Sequence, residues 1–177
     1  MEAPSLVFDT GPLSHFATAG WLGVLKAVVA NRRAIIPDAV VTELEAGTQT
    51  NPKLQLILEA EWIEHHILRT DAEAGAFTRY SNTLVTGKRN VGEAAVLAVA
   101  ETLPGTAVID DAAGRRAAQA NNVALRPTLA LLCDAIREGL LTPPLVSALA
   151  DDLLATQYRL PFKPGGFENW AKDNSMF

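Results

Sequence analysis

Short apolar runs alternate along this chain with longer stretches that have helical periodicity. The run Leu6-Val7-Phe8 ends at Asp9 and is followed by a Thr10-Gly11-Pro12 break, which predicts a buried strand entering a turn. Further strands are predicted at 34–36, 62–68, 106–109 and 123–125. Helices are predicted at 13–19, 21–30, 37–47, 52–61, 73–85, 90–102, 112–121, 129–138 and 144–156. This alternation favours an α/β fold of three layers, in which helices cover both faces of a mainly parallel sheet.

The composition is that of one domain with a substantial core. The chain has 177 residues, is 49% hydrophobic and carries a net charge of −5. Residues 1–160 form the predicted domain, and residues 161–177 form a C-terminal tail. A negative net charge is unusual for a protein that binds nucleic acid, unless bound metal neutralises several of the acidic side chains.

The chain shows no pattern typical of export or membrane insertion. Met1–Pro4 has neither the basic nor the apolar region of a signal peptide, and the apolar stretch 21–30 is too short to span a bilayer. Cys133 is the only cysteine, which excludes an internal disulfide and suits a reducing compartment. We therefore expect a cytoplasmic protein that does not enter a membrane.

Two aspartates directly follow predicted strands. Asp9 ends the first apolar run, and Asp110 ends the run 106–109. In parallel sheets, ligands gather outside the carboxyl ends of the strands. If the two strands are neighbours, the carboxylates lie about 5 Å apart, and like charges at that distance require a cation or a proton. A hard dication bound by oxygen ligands, such as Mg²⁺, is the simplest partner.

Helix capping is the competing interpretation of these carboxylates. An aspartate after a strand often caps the next helix. Taken singly, Asp9 or Asp110 fits the role of a cap as well as it fits the role of a metal ligand. Asp111 is another candidate cap, for the predicted helix 112–121. We favour Asp110 as the metal ligand because it continues the strand directly, with Asp111 as the cap or an outer acid, but the exchanged assignment stays open.

Two glutamates are less well determined by the local pattern. Residues 90–93 have the spacing of a capping box, in which the Glu93 side chain would bond back to the backbone of Asn90. The local pattern alone favours that structural role. Glu43 and Glu45 flank opposite sides of the apolar face of their predicted helix, so periodicity does not choose between them.

Other kinds of site are disfavoured by spacing. His15, His65 and His66 do not have the metal-ligand spacing that involves a cysteine or a histidine one helical turn away. The chain has no phosphate-binding glycine loop. No second aspartate stands two positions after Asp9, as a phosphoaspartyl hydrolase would require. A receiver-like signalling domain would need an acidic cluster near the chain start and a lysine after a late strand, and both are missing.

Four motifs, taken in chain order, resemble the PIN domain family. They are Leu6 to Thr10, Ile36 to Leu44, Gly92 to Ala98 and Val108 to Ala118. The similarity is closest to the branch with a GE-x-x-A helix start and a DD-x-x-x-R strand exit, and it covers residues 5 to about 160, including Tyr158-Arg159-Leu160. The chain departs from the family at Pro127-Thr128-Leu129, where relatives often carry a Gly-Thr turn, and in the tail 161–177, which has no counterpart.

The resemblance implies a five-stranded parallel sheet and an acidic quartet around one or two divalent ions. Carried over by position, the quartet is Asp9, Glu43, Glu93 and Asp110. Asp9, Glu93 and Asp110 would be the metal ligands, with Thr10 and Asp111 as supporting residues. Family members commonly cleave RNA, and many are VapC-like toxins paired with an antitoxin. The implied function is a Mg²⁺- or Mn²⁺-dependent endoribonuclease; the alternative is a non-catalytic PIN-like module that binds RNA or protein.

Two further expectations concern partners. Arg115 and Arg116 lie about one turn into the helix after Asp110, where a guanidinium can reach an RNA phosphate; a solvated helix face is the alternative. The first two predicted helices are rich in apolar side chains, which predicts a homodimer if the domain does not bury them all; ordinary core is the alternative. These side chains are Leu13, Phe16, Trp21, Leu22 and Leu25.

Overall fold

The computed structural model of the protein describes residues 5–177. Met1–Pro4, where the sequence predicts no signal peptide, lies outside the described residues. The strands are β1 (Ser5–Phe8), β2 (Ala34–Pro37), β3 (Ile63–His66) and β4 (Gly105–Val108). The helices are α1 (Thr10–Ala19), α2 (Leu22–Val29), α3 (Asp38–Gly47), α4 (Gln55–Leu58), α5 (Asp71–Leu84), α6 (Val91–Thr102), α7 (Ala112–Ala120), α8 (Thr128–Arg137), α9 (Pro143–Ala155) and α10 (Phe167–Asp173), with a 3₁₀ turn at Pro52–Leu54 before α4.

The sheet is parallel in all the pairs that the structure describes, and its strand order is β3-β2-β1-β4. The chain builds outward from β1 to β3 and then crosses back to place β4 on the other side of β1. The order of the strands therefore reverses between β1 and β4. In open α/β sheets this reversal creates the crevice in which ligands bind.

The predicted fifth strand at 123–125 is reduced to a single parallel bridge with Ala107. Two backbone hydrogen bonds, of 2.8 and 2.9 Å, form this bridge. The pairing does not continue because the N–H of Thr128, the next donor in register after that of Arg126, donates instead to the Asp110 carboxylate at 2.8 Å. Within residues 5–177 the sheet thus has four strands rather than the expected five.

Helix α6 is enclosed by the rest of the domain. Every residue from Gly92 to Ala100 is buried, and the helix packs against β1, β2 and β4 and against α3 and α5. A helix enclosed on all sides is expected to be apolar all round, and this stretch reads GEAAVLAVA. Glu93 is the one charged side chain between Gly92 and Ala100, so the apolar stretch around it carries its carboxylate into the interior.

Helices cover both faces of the sheet at its centre, since every residue of β1 and β2 is buried. The early helices α1 and α2 contribute to this cover. Leu13, Phe16 and Leu25 are fully buried, while Trp21 and Leu22 are partly buried and pack against the core. Leu13, Phe16 and Leu25 therefore belong to the core, whereas Trp21 and Leu22 stay partly exposed, and the homodimer stays a prediction.

The C-terminal segment 161–177 wraps onto the domain. Its helix α10 packs against α9, with Phe167 and Ala171 buried. The Arg137 guanidinium at the end of α8 donates to the carbonyl of Met176. In the described part of the chain, no helix is long and apolar enough to cross a membrane.

Candidate active site

Asp9 lies at the carboxyl end of β1. Its backbone N–H donates to the carbonyl of Val108 at 3.2 Å, so the β1–β4 pairing extends to this residue. Because Phe8 is in register with Val108, Asp9 and Asp110 both leave the sheet at the reversal point. Asp9 occupies the N-cap position of α1, but its side chain makes no capping hydrogen bond. Helix capping therefore does not account for this carboxylate.

Three other acids act on the Asp9 carboxyl group. Burial is the largest influence on its pKa, followed by the charge of Glu93; the charges of Glu43 and Asp110 add to these, and the backbone N–H of Thr10 opposes them. Together, these influences raise the pKa of Asp9 from 3.8 to about 7. Hydrogen bonds also tie these acids together, because Thr10, next to Asp9, and Gly92, next to Glu93, both donate to the Glu43 carboxylate. We call Asp9, Glu43, Glu93 and Asp110 the acidic cluster.

Glu93 is not part of a capping box. Asn90 has a left-handed backbone, with φ of 64°, and its side chain donates to the carbonyl of Leu84 at 3.1 Å instead of capping α6. Within the described residues, the buried Oε2 of Glu93 has no hydrogen-bond partner. Burial, with the charges of Asp111 and Glu43, raises the pKa of Glu93 to about 7. The capping-box interpretation that the local pattern favoured is therefore wrong.

Glu43 is held by donors from two other elements. The Thr10 hydroxyl donates to its Oε2 at 2.6 Å, and the Gly92 N–H donates to its Oε1 at 3.0 Å. A Cβ atom on Gly92 would lie 2.9 Å from both carboxylate oxygens, so this close approach depends on glycine. Glu45 is exposed on another side of α3. The structure thus brings Glu43, and not Glu45, into the acidic cluster.

Gly114 gives similar room to Glu93. A Cβ atom on Gly114 would lie 2.9 Å from Glu93 Oε2 and 2.8 Å from Ile109 Cγ2. The backbone of α7 therefore lies against the carboxylate with no side chain between them. Gly92 and Gly114 each allow a carboxylate to contact a helix backbone. This close contact is the physical reason why the two motifs have glycine at these positions.

Asp110 and Asp111 have different partners. Thr128 donates its backbone N–H to Asp110 Oδ1 at 2.8 Å and its hydroxyl to Oδ2 at 2.7 Å, and the Tyr158 hydroxyl also donates to Oδ2. Asp111 caps α7 by accepting the Ala113 N–H at 2.7 Å. The cap is therefore Asp111, while Asp110 is the member of the pair that acts on Asp9.

Sequence reasoning missed three residues around Asp110, namely Thr128, Tyr158 and His15. The His15 ring packs edge-on against Tyr158, with centroids 4.7 Å apart, and its Nδ1 lies 2.7 Å from Thr156 Oγ1. Burial lowers the pKa of His15, and the Asp110 charge opposes that change. Tyr158 lay within a segment that the resemblance included, and Thr128 lay within a segment where the chain departs from the family, but no pattern assigned either residue a role. His15 carried no signal, because its neighbours are remote in sequence.

Basic residues border the acidic cluster on one side. Arg115 and Arg159 line a cavity of about 550 Å³ that opens beside Asp110. Both side chains are exposed. Arg116 is also exposed, but it does not line this cavity. Of the two arginines selected from the sequence, Arg115 is therefore the one placed near the acids.

The arrangement fits a hydrated cation better than a closed metal cage. Within residues 5–177, no group of three His, Cys, Asp or Glu side chains is arranged so that it could hold an ion by itself. Magnesium, however, usually keeps several waters and binds through one or two carboxylates. The unpartnered oxygen of Glu93 and the raised pKa values of Asp9 and Glu93 fit a cation held in that way.

The chain is similar to a known protein family. A family model described as a PIN domain (DUF3368) matches residues 5–163 of the chain. The match runs from β1 to just beyond α9 and includes the whole acidic cluster. No curated protein shows a match to the chain.

Proposed function

Because the chain belongs to the PIN domain family, we propose that it is a metal-dependent endoribonuclease that hydrolyses RNA phosphodiester bonds. The convergence of the acidic cluster at the carboxyl ends of β1 and β4, with the pKa values of Asp9 and Glu93 raised to about 7, carries this proposal. Strongly shifted carboxylates in a crevice are typical of functional sites. A fold without a cation to bind there would gain nothing from burying them together.

The acids divide into those with free acceptor capacity and those already held by donors. Asp9 and Glu93 would bind Mg²⁺ or Mn²⁺ directly, and Asp110 would hold the ion through one of its waters while Thr128 and Tyr158 keep the Asp110 carboxylate oriented. A bound ion of this kind supplies a nucleophilic hydroxide near neutral pH and relieves the charge on the phosphate.

Glu43 would orient or deprotonate the attacking water. Both of its oxygens already accept hydrogen bonds, one from Thr10 and one from Gly92, so the carboxylate is held in one orientation. Preorganised groups of this kind lower the reorganisation needed during reaction. The expected products carry a 5′-phosphate and a 3′-hydroxyl, with no covalent enzyme intermediate.

The substrate would lie across the side of the cluster that carries arginine. Arg115, which lines the cavity beside Asp110, would pair with a phosphate next to the cleaved bond, since a guanidinium can donate two parallel hydrogen bonds to phosphate oxygens. A cytoplasmic location, an antitoxin partner and a homodimer belong to the same proposal. The antitoxin rests on the resemblance to VapC-like toxins, and the homodimer rests on the partly exposed apolar side chains of Trp21 and Leu22.

A cleavage assay on a panel of structured and single-stranded RNAs tests the function. We expect cleavage with magnesium or manganese that stops when a chelator is added. The Asp9→Asn variant, purified in parallel, controls for contaminating ribonuclease. Chelator-resistant cleavage by the pure protein would overturn the metal mechanism. Complete inactivity together with retained RNA binding would favour the non-catalytic module.

A further inference from the structure

The cavity beside Asp110 is built in part by the C-terminal segment. One wall comes from the start of α8 at Leu129, and the other comes from Leu160, Trp170 and Met176. Its volume of about 550 Å³ lies in the range of small-ligand sites, roughly 300–1,000 Å³. The cavity therefore has room for one nucleotide and shares Asp110 with the acidic cluster.

The lining combines apolar surface with positive charge. Leu129, Leu160 and Met176 are apolar, Trp170 offers an aromatic ring, and Arg159 adds a guanidinium. Proteins that bind single-stranded nucleic acid use the same two components: aromatic rings on which bases stack, and cations that follow the phosphates. In a chain of net charge −5, the two arginines of this cavity mark a local exception that suits a phosphate.

Trp170 is held in place by other rings. Its ring centroid lies 5.5 Å from that of Phe162 and 6.4 Å from that of Phe167, and Phe167 is fully buried. Trp170 itself is only half-buried and lines the cavity. A side chain that is already ordered loses little entropy when a ligand stacks on it. The indole is therefore an ordered aromatic group at the border of the ligand space.

We propose that this cavity binds the base of the RNA nucleotide that flanks the cleaved phosphate. Trp170 stacks on the base, and Arg159 pairs with the neighbouring phosphate. The inference rests on the proposed function, because the occupant is part of the RNA substrate. It assigns the C-terminal segment a role in substrate selection, and Trp170 lies beyond the residues 5–163 that match the family.

Binding of labelled oligonucleotides tests the inference without any catalytic step. The wild-type protein is kept in chelator, so that RNA is not cleaved, and fluorescence anisotropy reports the affinity. The probes are a short fluorescein-labelled oligoadenylate and an abasic oligomer of the same length and charge. We expect Trp170→Leu to weaken oligoadenylate binding about tenfold and to leave the abasic oligomer unaffected. Trp170→Phe should recover most of the affinity, because it keeps an aromatic ring.

Two further variants complete the design. Trp62 is another half-buried tryptophan, but it precedes β3 at the opposite edge of the sheet, so Trp62→Leu should bind both probes as the wild type does. Arg159 is exposed, so Arg159→Ala should fold normally and should weaken both probes several-fold through the lost phosphate contact. If Trp170→Leu fails to fold in a thermal scan, Trp170→Phe and Arg159→Ala still decide the outcome.

The results separate the inference from the function on which it rests. If the wild type cleaves RNA but Trp170→Leu binds oligoadenylate normally, or loses equal affinity for the abasic oligomer, the base site is wrong and the nuclease stands. The base site is also wrong if Arg159→Ala binds both probes normally, or if a cleaving wild type does not bind oligoadenylate in chelator, because stacking and ion pairing need no metal. A wild type that neither binds nor cleaves RNA overturns both.

Discussion

Helices α5 and α6 begin with the same spacing of residues and use it in opposite ways. In each helix a glutamate stands three residues after the N-cap, Glu73 after Thr70 and Glu93 after Asn90. Both glutamates are buried, with exposed fractions of 3% and 7%. The two carboxylates differ in the number of donors that reach them.

Glu73 completes a capping box. Its backbone N–H donates to the Thr70 hydroxyl at 3.1 Å, and its Oε2 accepts the N–H groups of Arg69 and Thr70, both at 2.9 Å. The His66 ring nitrogen lies 2.5 Å from its Oε1. Burial acts to raise the pKa of Glu73, but these hydrogen bonds outweigh it and lower the pKa to about 2. Its charge therefore stabilises the fold.

At Glu93, burial outweighs hydrogen bonding. Its Oε2 has no partner within residues 5–177, and burial with the nearby charges of Asp111 and Glu43 raises its pKa to about 7. Such a charge destabilises the metal-free fold, as is common where activity and stability conflict. A buried carboxylate is thus structural or functional according to its donors, and not according to its position in a helix.

The largest expected difference between variants of the two glutamates is in the rate of RNA cleavage. Glu93→Gln should lower the rate of RNA cleavage at least about 100-fold, because an amide replaces a cation-binding carboxylate. Glu73→Gln should leave kcat/KM per folded molecule unchanged, because this residue lies outside the acidic cluster. Initial rates with one RNA substrate measure both variants. An equal loss in the two would contradict the contrast.

Stability in chelator should change in opposite directions. Glu73→Gln should lower the free energy of unfolding by up to about 3 kcal/mol, because the shift from 4.5 to about 2 corresponds to 1.36 kcal/mol per unit. Glu93→Gln should instead raise the free energy of unfolding above pH 7. Urea denaturation of both variants beside the wild type measures the two changes.

The pH dependence of these changes supplies the control. The folded-state pKa of Glu93 lies above its unfolded value, so its stabilising contribution is present below pH 4.5 and is lost as the pH rises through about 7. The folded-state pKa of Glu73 lies below its unfolded value, so its contribution is present above pH 4.5 and is lost as the pH falls through about 2. The gain from Glu93→Gln should therefore grow between pH 4.5 and 7. A gain that is independent of pH would point to packing instead of charge.

Magnesium should stabilise the wild type through the acidic cluster. At one hundred times its dissociation constant, a ligand of the folded state contributes about 2.7 kcal/mol, or roughly 5–10 °C in Tm for a chain of this length. Asp9→Asn should raise the Tm without metal and lose most of the magnesium shift. Glu73→Gln should keep the whole shift. Thermal scans that are flat in magnesium for every protein would reject the cation site.

The smallest expected effect is at Asp111. Asp111→Asn should cost at most about 1 kcal/mol through a weakened cap of α7 and should keep most of the cleavage activity. Asp110→Asn should abolish cleavage while leaving that cap intact. Chemical denaturation and cleavage rates measure the pair, and the reverse ranking in activity would exchange their roles.

The sequence by itself determined the elements whose signals are local. The apolar runs that end at Asp9 and Asp110 are parallel strands in the structure, as expected, and they are adjacent, which the sequence had left open. The helices predicted around Gly20 and after Pro37 agree with α1 to α3 within a few residues, because a glycine break and a proline start act where they stand. The predicted helix 52–61 was too long, and it consists of a 3₁₀ turn followed by the four-residue α4.

Only the tertiary structure decided which carboxylates belong to the site. Periodicity defines the faces of a helix, but it does not say which groups from other elements meet each face. The Thr10 hydroxyl that selects Glu43 is 33 residues away in sequence, and the Tyr158 hydroxyl that reaches Asp110 is 48 residues away. The spacing at 90–93 favoured a cap that does not form, and the capping box at Thr70 was not predicted. A carboxylate takes its role from the donors and charges that folding brings to it, and those come from distant parts of the chain.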